Sequence, residues 1–465
     1  MKRITIIGGG ISGLTAAYYL NKQIKEQNLP YQITLLEAGE RLGGKIKTER
    51  REGFTIERGP DSFLIRKQSA ERLAREVGLG DQLVMNGTGK SYILVDGKLH
   101  SMPQGSFMGI PTQVKPFLFS DLFSLSGKIR AGFDLLLPKG EPKKDQSLGK
   151  FFRRRFGDEL VENLIEPLLS GIYAGNIDDL SLMATFPNFY QLEQHHRSLV
   201  KGLQKTMPKP KTGPGKKRSM FYSLKDGLQS LVEAIEANLD AEIVRKDTAV
   251  NHIKKGPKQY TLTLSDGSVI QSDAVMIATP FNTMKKMLAD YDFVTSIKDM
   301  KATSVANVAL AFDQSAIKED IDGTGFVVSR NSDYRITACT WTHKKWPETA
   351  APEGMALLRC YVGRPGDEDV VELSDEALEK IVLADLNKIM KIEGKPHFSI
   401  VSRWKNAMPQ YSVGHKEKID QLEKDIAENL PGLFVAGSSF RGIGIPDCID
   451  QGEAAVERIL AYLEN

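Results

Sequence analysis

The chain begins with a short apolar run that meets three closely spaced glycines and then takes on a helical pattern: RITIIGGGISGLTAAYYL, residues 3–20. Gly8, Gly10 and Gly13 have the GxGxxG spacing of a dinucleotide-binding βαβ unit. In such a unit the backbone N–H groups at a helix N-terminus receive a pyrophosphate, and any Cβ would stand in its way. A glycine-rich turn without a ligand would show the same spacing. The feature predicts an α/β fold with a parallel sheet at its start.

A second apolar strand, QITLLE, ends in Glu37, 24 residues beyond Gly13. An acidic side chain at this place accepts hydrogen bonds from ribose hydroxyls, and it would repel a 2′-phosphate, which argues against NADP. The order of strand, glycine turn, helix and acid-ended strand favours a dinucleotide site over a structural turn.

Glu37 leads into AGERLGGKIK, in which Arg41 precedes the pair Gly43-Gly44 and Lys45. This string resembles the second signature of the FAD-dependent amine-oxidase and desaturase superfamily. The resemblance implies that the paired glycines approach the diphosphate and flavin, and that the basic residue contacts the cofactor. The superfamily commonly has arginine where Lys45 stands, so the geometry of this contact is left open, because lysine lacks the planar fork. A simple Gly-Gly turn is the alternative.

A third element lies at the other end of the chain, LFVAGSSFRGIGIPDCIDQGEAAVERIL, residues 433–460. The pattern indicates a strand, a glycine-rich loop and a terminal helix, with Pro446 suited to a first helical position. Gly442 and Gly444 let the backbone approach a planar ring. The helix N-terminus offers about half a positive charge, which suits the negative charge of a reduced flavin. A docking helix alone is the plainer interpretation, but the three elements together predict FAD as the cofactor.

The predicted fold class is α/β, with a discontinuous Rossmann-like FAD-binding domain, a β-rich substrate domain and a mostly helical inserted domain. The predicted bounds are residues 1–85, 220–284 and 395–465 for the FAD-binding domain, 86–110 and 285–394 for the substrate-binding domain, and 111–219 for the helical insertion. We expect the substrate domain to roof the flavin with a sheet and the insertion to cap it as a lid. Asp266-Gly267, between two alternating apolar runs, predicts a hairpin.

Two segments of the insertion leave alternatives open. FLFSDLFSLSGKIRAGFDLLLP, residues 117–138, is amphipathic and interrupted by charges. Packing as a core helix is favoured over lining an apolar pocket or lying on a membrane surface. Residues 201–218 contain seven basic residues, no acidic ones and three prolines. A flexible solvated linker is favoured there, and a membrane-surface contact is the alternative.

Composition excludes several classes of protein. With 465 residues, 41% of them apolar and 26% charged, the chain is of ordinary globular type, and a net charge of +3 gives no support for a nucleic-acid partner. Three scattered cysteines favour a reduced cytoplasmic setting without zinc or a disulfide framework. The chain enters its first strand directly, so we expect no signal peptide, and no apolar run is long enough to span a bilayer. His195-His196 has no companions at metal-ligand spacing, so we expect no metal site.

Five longer segments are similar to those of the oxygen-dependent porphyrinogen oxidases. They are GPDSFLIRKQSAERL, SLSGKIRAGFDLLLP, SLGKFFRRRFGDELVENLIEPLLSGIYAGN, TSVANVALAF and GIGIPDCIDQG. The similarity covers essentially the whole chain. It most resembles the Gram-positive-type branch that oxidises coproporphyrinogen III to coproporphyrin III in haem biosynthesis and was formerly called protoporphyrinogen oxidase.

The resemblance implies an FAD-dependent oxidase that removes six electrons from a porphyrinogen in three flavin-mediated two-electron steps, with O2 as oxidant and hydrogen peroxide released. It assigns the hard chemistry to the flavin, so no side chain is expected as the catalytic group. The contacts carried over to the cofactor are Gly8, Gly9, Gly10, Ile11, Ser12, Gly13, Glu37, Ala38, Lys45, Gly59, Pro60, Asp61, Ser62, Val250, Trp404, Gly442, Ile443, Gly444 and Ile445.

The propionates of a porphyrinogen call for a few basic anchors at the rim of an apolar cavity. Arg66 and Lys67 are the candidates, with Lys67 preferred. Arg153 to Arg155 are weaker candidates, because three consecutive helical residues cannot point in one direction. Trp404 is expected beside the cofactor, although packing alone would explain it.

Three rival functions stay open at this point. Protoporphyrinogen IX, with two propionates instead of four, is the nearest alternative substrate. Another amine-oxidase or desaturase-type flavoenzyme is the second, and a non-catalytic binding protein with an FAD-like fold is the third. A peripheral contact with a membrane and a partner enzyme of the haem pathway are both compatible with the sequence.

Overall fold

A computed structural model describes residues 1–87, 90–206 and 219–464. The strands are β1 (Lys2–Ile7), β2 (Tyr31–Leu36), β3 (Thr48–Arg51), β4 (Phe54–Glu57), β5 (Phe63–Leu64), β6 (Leu83–Met85), β7 (Tyr92–Val95), β8 (Lys98–Ser101), β9 (Ser106–Phe107), β10 (Ile110–Pro111), β11 (Phe221–Leu224), β12 (Val244–Arg245), β13 (Val250–Lys255), β14 (Tyr260–Leu264), β15 (Val269–Ser272), β16 (Ala274–Ile277), β17 (Ala302–Asp313), β18 (Gly325–Val328), β19 (Ile336–Trp341), β20 (Met355–Val362), β21 (Phe398–Pro409) and β22 (Leu433–Val435).

The helices are α1 (Ile11–Gln27), α2 (Gln68–Glu76), α3 (Val114–Leu118), α4 (Leu125–Gly132), α5 (Leu148–Phe156), α6 (Asp158–Leu160), α7 (Glu166–Tyr173), α8 (Leu182–Thr185), α9 (Pro187–His196), α10 (Leu199–Thr206), α11 (Gln229–Ala237), α12 (Phe281–Met287), α13 (Asp292–Thr295), α14 (Thr342–Lys345), α15 (Asp375–Met390), α16 (His415–Asn429) and α17 (Ile445–Glu464).

A five-stranded parallel sheet in the order β12-β2-β1-β16-β22 carries the N-terminal glycines. Strand β16, which lies between β1 and β22, is buried along its whole length, as expected for a strand covered on both faces. Helices α1 and α17, from opposite ends of the chain, pack together beside this sheet. The predicted α/β class, with a nucleotide-type sheet assembled from distant segments, is confirmed.

A second sheet of seven strands, in the order β21-β17-β20-β19-β18-β7-β8, lies in the middle of the chain. It is antiparallel except for the pair β18–β7. One face packs apolar residues of β17 and β20 against α15, and the other face turns toward the turn after β4. The sequence places residues 398–409 in the FAD-binding domain, but β21 hydrogen-bonds to β17 in this sheet. The predicted domain boundary at residue 395 therefore separates β21 from the seven-stranded sheet to which it belongs.

Helices α3 to α10 share an apolar cluster of their own and form the predicted helical insertion. The amphipathic segment 117–138 does not pack as a core helix throughout. Phe117 and Phe123 are buried, whereas Phe119, Leu125 and Leu136 are 88%, 74% and 69% exposed. The first part of the predicted basic linker belongs to α10, and residues 207–218 lie outside the described residues.

Candidate functional site

The first glycine loop has the geometry its spacing predicts. Gly8 has a φ of +108°, and a Cβ there would lie 2.8 Å from the carbonyl oxygen of Ala278. A Cβ at Gly13 would lie 2.0 Å from the carbonyl oxygen of Gly8. At Gly10, in contrast, a Cβ would meet nothing within 4 Å. The packing of the protein itself therefore requires glycine at positions 8 and 13. Gly10, in contrast, faces open space at the start of α1.

The second glycine pair lies directly against the first loop. Gly43 donates its N–H to the carbonyl of Gly9 at 2.8 Å, and a Cβ on Gly44 would lie 3.3 Å from the Cα of Gly10. We call residues 8–13 together with 43–44 the glycine cradle. The N-cap of α1, Gly10, has no capping side chain. The first-turn N–H groups of α1 can therefore serve a bound anion.

Lys45 places a cation at the edge of the glycine cradle. Within the described part of the chain its Nζ has one hydrogen bond, to Ser438 Oγ at 3.3 Å. Burial lowers the pKa of Lys45, since no carboxylate compensates for the loss of water. A buried ammonium with so little to bind, beside open space at Gly10, fits the diphosphate of FAD.

Glu37 ends β2 and anchors the cradle from the other side. Its two carboxylate oxygens accept the N–H of Gly9 at 2.7 Å and of Gly39 at 2.9 Å. Each oxygen keeps a second lone pair, so ribose hydroxyls still have acceptors there. The Glu37 carbonyl accepts the N–H of Thr248 at 2.8 Å, which brings the start of β13 at Val250 near Ala38.

The turn after β4 contains Gly59 to Ser62, which the sequence assigns to the cofactor. A Cβ on Gly59 would lie 1.9 Å from the Lys45 carbonyl oxygen and 3.5 Å from the Trp404 ring. Trp404 donates its indole N–H to the Arg58 carbonyl at 2.7 Å. The turn, the indole and Lys45 thus lie close together, with Pro60 inside the same turn.

Asp61 has two partners that the sequence does not reveal. Its carboxylate is 2.8 Å from Lys345 Nζ and 3.4 Å from Arg359 Nη1, and it accepts the Ser62 hydroxyl at 2.8 Å. Burial by itself raises the pKa of Asp61, but Lys345 and Arg359 outweigh it and hold that pKa well below the usual range. Arg359 also donates to the Gly59 carbonyl at 2.8 Å. A buried arginine inside the apolar strand ALLRCYV is the one signal that could have pointed to this contact.

The C-terminal loop closes the site. Gly442 has a φ of +120°, and a Cβ there would lie 2.7 Å from Asp447 Cβ. A Cβ on Gly444 would lie 2.7 Å from an Asp447 oxygen, and α17 begins at the next residue, Ile445. Gly437, at the start of the loop, lies close to Ser12 of α1. The two ends of the chain therefore meet at the glycine cradle.

The proposed substrate anchors occupy different surroundings. Lys67 is half-buried and forms an ion pair with Asp447 in the first turn of α17, while Arg66 is exposed. Arg155 is fully buried and pairs with Asp134 at 2.6 Å. Arg153 and Arg154 also form ion pairs with acidic residues of the insertion. These three arginines therefore hold the helical region together through ion pairs, and Lys67 remains the preferred candidate anchor.

Thiols and metal-type clusters add no chemistry to the site. Burial raises the pKa of the Cys448 thiol, near Ser12 and Lys45, to about 11, so the thiol stays protonated. No group of three or more metal-ligating side chains is found among the described residues. None of the described helices has the length and apolar content needed to cross a bilayer.

Comparison with known proteins gives a consistent result. The family model described as flavin containing amine oxidoreductase matches residues 11–460. Coproporphyrinogen III oxidase of Bacillus subtilis (strain 168) is 54% identical, over 99% of this chain and 98% of that protein. Coproporphyrinogen III oxidase of Staphylococcus aureus (strain NCTC 8325 / PS 47) is 45% identical, over 99% of this chain and 100% of that protein.

A crystal structure from Exiguobacterium sp. 255-15, which carries the provisional name protoporphyrinogen oxidase, matches with a TM-score of 0.88. It is 40% identical and covers 100% of this chain and 99% of its own. These matches confirm the resemblance stated from the sequence, the FAD cofactor and the oxidase class. From the glycine cradle at one end to helix α17 at the other, the chain belongs to the family of flavin-containing amine oxidoreductases.

Proposed function

We propose that this chain oxidises coproporphyrinogen III to coproporphyrin III in haem biosynthesis. The observation that carries the proposal is the 54% identity, along the full length, with a protein of that name. The substrate loses six electrons and six protons. Three molecules of O2 take them up, and three molecules of hydrogen peroxide are released. Bound FAD supplies the acceptor for each two-electron step and the reaction with O2.

The residues of the chain then bind, orient and exclude water. In this proposal Gly8, Gly9, Gly10, Ile11, Ser12, Gly13 and Lys45 hold the diphosphate, Glu37 and Ala38 the ribose, and Val250 the adenine side. Gly59, Pro60, Asp61, Ser62, Trp404, Gly442, Ile443, Gly444 and Ile445 line the flavin ring. The open space at Gly10 and the sparsely bonded Lys45 ammonium support this assignment.

We place the macrocycle between the seven-stranded sheet and the helical insertion, next to the loop at Gly442. Ile443 of this loop packs at the edge of the apolar cluster of the helical region, and α7 contacts β18 and β19 of the sheet. The domain division proposed from the sequence agrees with this placement, with residues 398–409 assigned to the sheet.

Lys67 is the proposed anchor for a propionate, with Arg66 further out. An ammonium group has three donors, and the ion pair with Asp447 uses one of them. A carboxylate of the substrate can therefore join Asp447 at Lys67 without displacing it. A tetra-acid gains more from such a cation than a di-acid does, which favours coproporphyrinogen III.

The test is porphyrin fluorescence over time with the purified FAD-loaded protein in air. Coproporphyrinogen III and protoporphyrinogen IX are supplied in parallel at equal concentration. We expect faster formation of coproporphyrin. Faster formation of protoporphyrin would favour the alternative, which the name of the Exiguobacterium protein supports. No rate above the enzyme-free control with either compound would overturn the proposal.

We further propose that the enzyme acts in the cytoplasm with a peripheral contact to anionic lipid. Seven large apolar side chains between residues 114 and 136 of the helical insertion are exposed, and we call them the apolar patch: Val114, Leu118, Phe119, Leu125, Ile129, Phe133 and Leu136. Exposed Lys115, Lys139, Lys143 and Lys144 flank this patch in the sequence. Apolar side chains flanked by lysines suit the boundary between anionic headgroups and acyl chains.

Co-sedimentation with vesicles tests this contact. Wild-type protein should sediment with phosphatidylglycerol-containing vesicles more than with neutral phosphatidylcholine vesicles. The double change Phe119→Asp and Leu125→Asp should abolish binding. The matched pair Met85→Asp and Val269→Asp, also exposed but outside the patch, should not. If wild-type protein stays in the supernatant with both lipids, the patch instead fits a protein such as a partner enzyme of the haem pathway.

A further inference from the structure

Tyr411 spans the loop that leads into α17. Its hydroxyl donates to the Ser438 carbonyl at 2.8 Å and accepts the N–H of Gly442 at 2.8 Å. The side chain is fully buried. One phenol oxygen therefore satisfies a carbonyl and an N–H group at the two ends of the same turn, because a hydroxyl donates and accepts at a single atom.

His415 holds the Tyr411 ring in place. The two rings stack with centroids 3.9 Å apart and an angle of 11° between their planes. Burial lowers the pKa of His415 to about 4, so the imidazole is neutral, and its Nε2 lies 2.8 Å from the Phe440 carbonyl. With Nε2 as the donor, a second carbonyl of the same turn is fixed.

The same connection is fastened to the helical insertion. Tyr411 accepts the N–H of Ser181 on its carbonyl at 2.7 Å, and its ring lies 5.6 Å from that of Tyr173. The neighbouring Gln410 donates to the Tyr173 carbonyl at 2.8 Å. Residues 410–415 therefore link the helical region to the loop before α17.

We infer that Tyr411 is a positioning residue for the flavin, acting through residues 438–442. Its phenol fixes this loop, so that the N-terminus of α17 is aligned with the negative charge of the reduced flavin, and it sets the helical insertion in register with that loop. The inference rests on the assignment of the loop to FAD in the proposed function. Loss of the phenol oxygen takes the partner from two part-buried peptide groups, the Ser438 carbonyl and the Gly442 N–H, so the loop is expected to shift.

The experiment compares Tyr411→Phe with Tyr260→Phe. Tyr260 is also fully buried, and its hydroxyl donates to the Pro431 carbonyl at 3.0 Å, away from the cofactor loops. Both changes remove one buried hydroxyl and keep the ring, so both should lower thermal stability. The reduction potential of the bound flavin is measured in a dye-coupled titration without porphyrinogen, together with the FAD dissociation constant.

Tyr411→Phe should make the potential more negative and weaken FAD binding about tenfold. Tyr260→Phe should change neither. His415→Phe, which keeps the stack and loses the bond to Phe440, should shift the potential in the same direction by less, and it serves if Tyr411→Phe yields no folded protein. A potential unchanged in Tyr411→Phe, or shifted equally in Tyr260→Phe, overturns the inference. Because no porphyrinogen is present, a failure of the proposed substrate leaves this result readable.

Discussion

The glycine cradle and the helical insertion are held together in opposite ways. The cradle is held together by close backbone contacts, since a Cβ at Gly13 would lie 2.0 Å from the carbonyl oxygen of Gly8. The insertion is held together by side chains, among them a fully buried ion network of Asp134, Arg155 and Glu193. In the proposed function the cradle receives FAD, and at Gly8 and Gly13 the backbone contacts leave no room for another residue. The insertion would lie on the substrate side, and its packing and its exposed apolar patch depend on side chains.

Gly13→Val should have the largest effect, because it attacks the backbone contact itself. The new side chain collides with the Gly8 carbonyl, which is held in the turn after β1. We expect destabilisation of more than about 4 kcal/mol and little folded protein. Thermal unfolding of the purified variant checks this, and a midpoint equal to that of the wild type would contradict it.

Asp134→Ala tests the other region. Asp134 accepts Arg155 at 2.6 Å and the Ser198 hydroxyl at 2.6 Å, and both charged side chains are fully buried. Removing the carboxylate leaves the buried Arg155 guanidinium with the longer 3.3 Å contact to Glu193 and takes the acceptor from the Ser198 hydroxyl, which should cost about 3 kcal/mol. FAD affinity of the protein that remains folded should equal that of the wild type. A parallel loss of FAD affinity would mean that the two regions are not independent.

Gly10→Val separates the need of the cofactor from the need of the fold. A Cβ here meets no protein atom within 4 Å, and Gly10 has an ordinary φ of −71°. The apoprotein should therefore unfold at the wild-type temperature, while FAD binding weakens about 100-fold, or about 2.7 kcal/mol. Cofactor absorbance per mole of purified protein gives the result. Full FAD content in Gly10→Val would refute the assignment of the diphosphate to this position.

Glu57→Gln tests electrostatics at the end of β4, two residues before Gly59. Burial raises the pKa of Glu57 to about 7, although its carboxylate accepts the N–H of Leu228 at 2.6 Å. Because the folded-state pKa lies above the unfolded value, the native state holds the proton longer. Wild-type stability should then fall as the pH rises from about 4.5 to about 7, by about 1–3 kcal/mol. In Glu57→Gln this decline should be absent from urea titrations at pH 5, 6 and 8. An equal decline in both proteins would place its origin elsewhere.

Lys67→Ala should have the smallest effect and concerns the substrate side alone. We expect KM for coproporphyrinogen III to rise about tenfold with FAD content unchanged, because one carboxylate loses its cation. The matched control is Lys22→Ala, which removes a lysine of α1 that is paired with Glu76 at the far end of α2. This change should leave KM unaltered. Unchanged kinetics in Lys67→Ala would remove it from the anchors.

The same contrast explains what could be predicted from the sequence. The spacing of Gly8, Gly10 and Gly13 and the acid at Glu37 report local backbone geometry, so the cradle followed from a short stretch of chain. The partners of Asp61 did not, because Lys345, at the end of α14, and Arg359, on β20, lie about 300 residues further along the chain. Residues 398–409 were assigned to the FAD-binding domain for the same reason, since the pattern of β21 does not say which strand it joins.

The sequence pattern also could not predict that the apolar patch is exposed. Phe117 and Phe119 stand two residues apart in one amphipathic segment, yet the first is buried and the second is almost fully exposed. A pattern shows that two faces differ, but whether a second layer covers the outer face depends on the packing of the rest of the chain.

The parallel sheet has a consequence for synthesis. In it β1 pairs with β16, and β16 pairs with β22, so Ile4 lies opposite Ala274, and Val275 lies opposite Leu433. Contacts of such long sequence separation form late, because the intervening loop must close first. In a nascent chain whose β22 and α17 are still in the ribosome, the first glycine loop lacks the C-terminal strand and helix that pack against it. We therefore expect FAD to bind only after β22 and α17 have joined the sheet, and a truncation of the last 33 residues should remove cofactor binding while leaving every N-terminal motif intact.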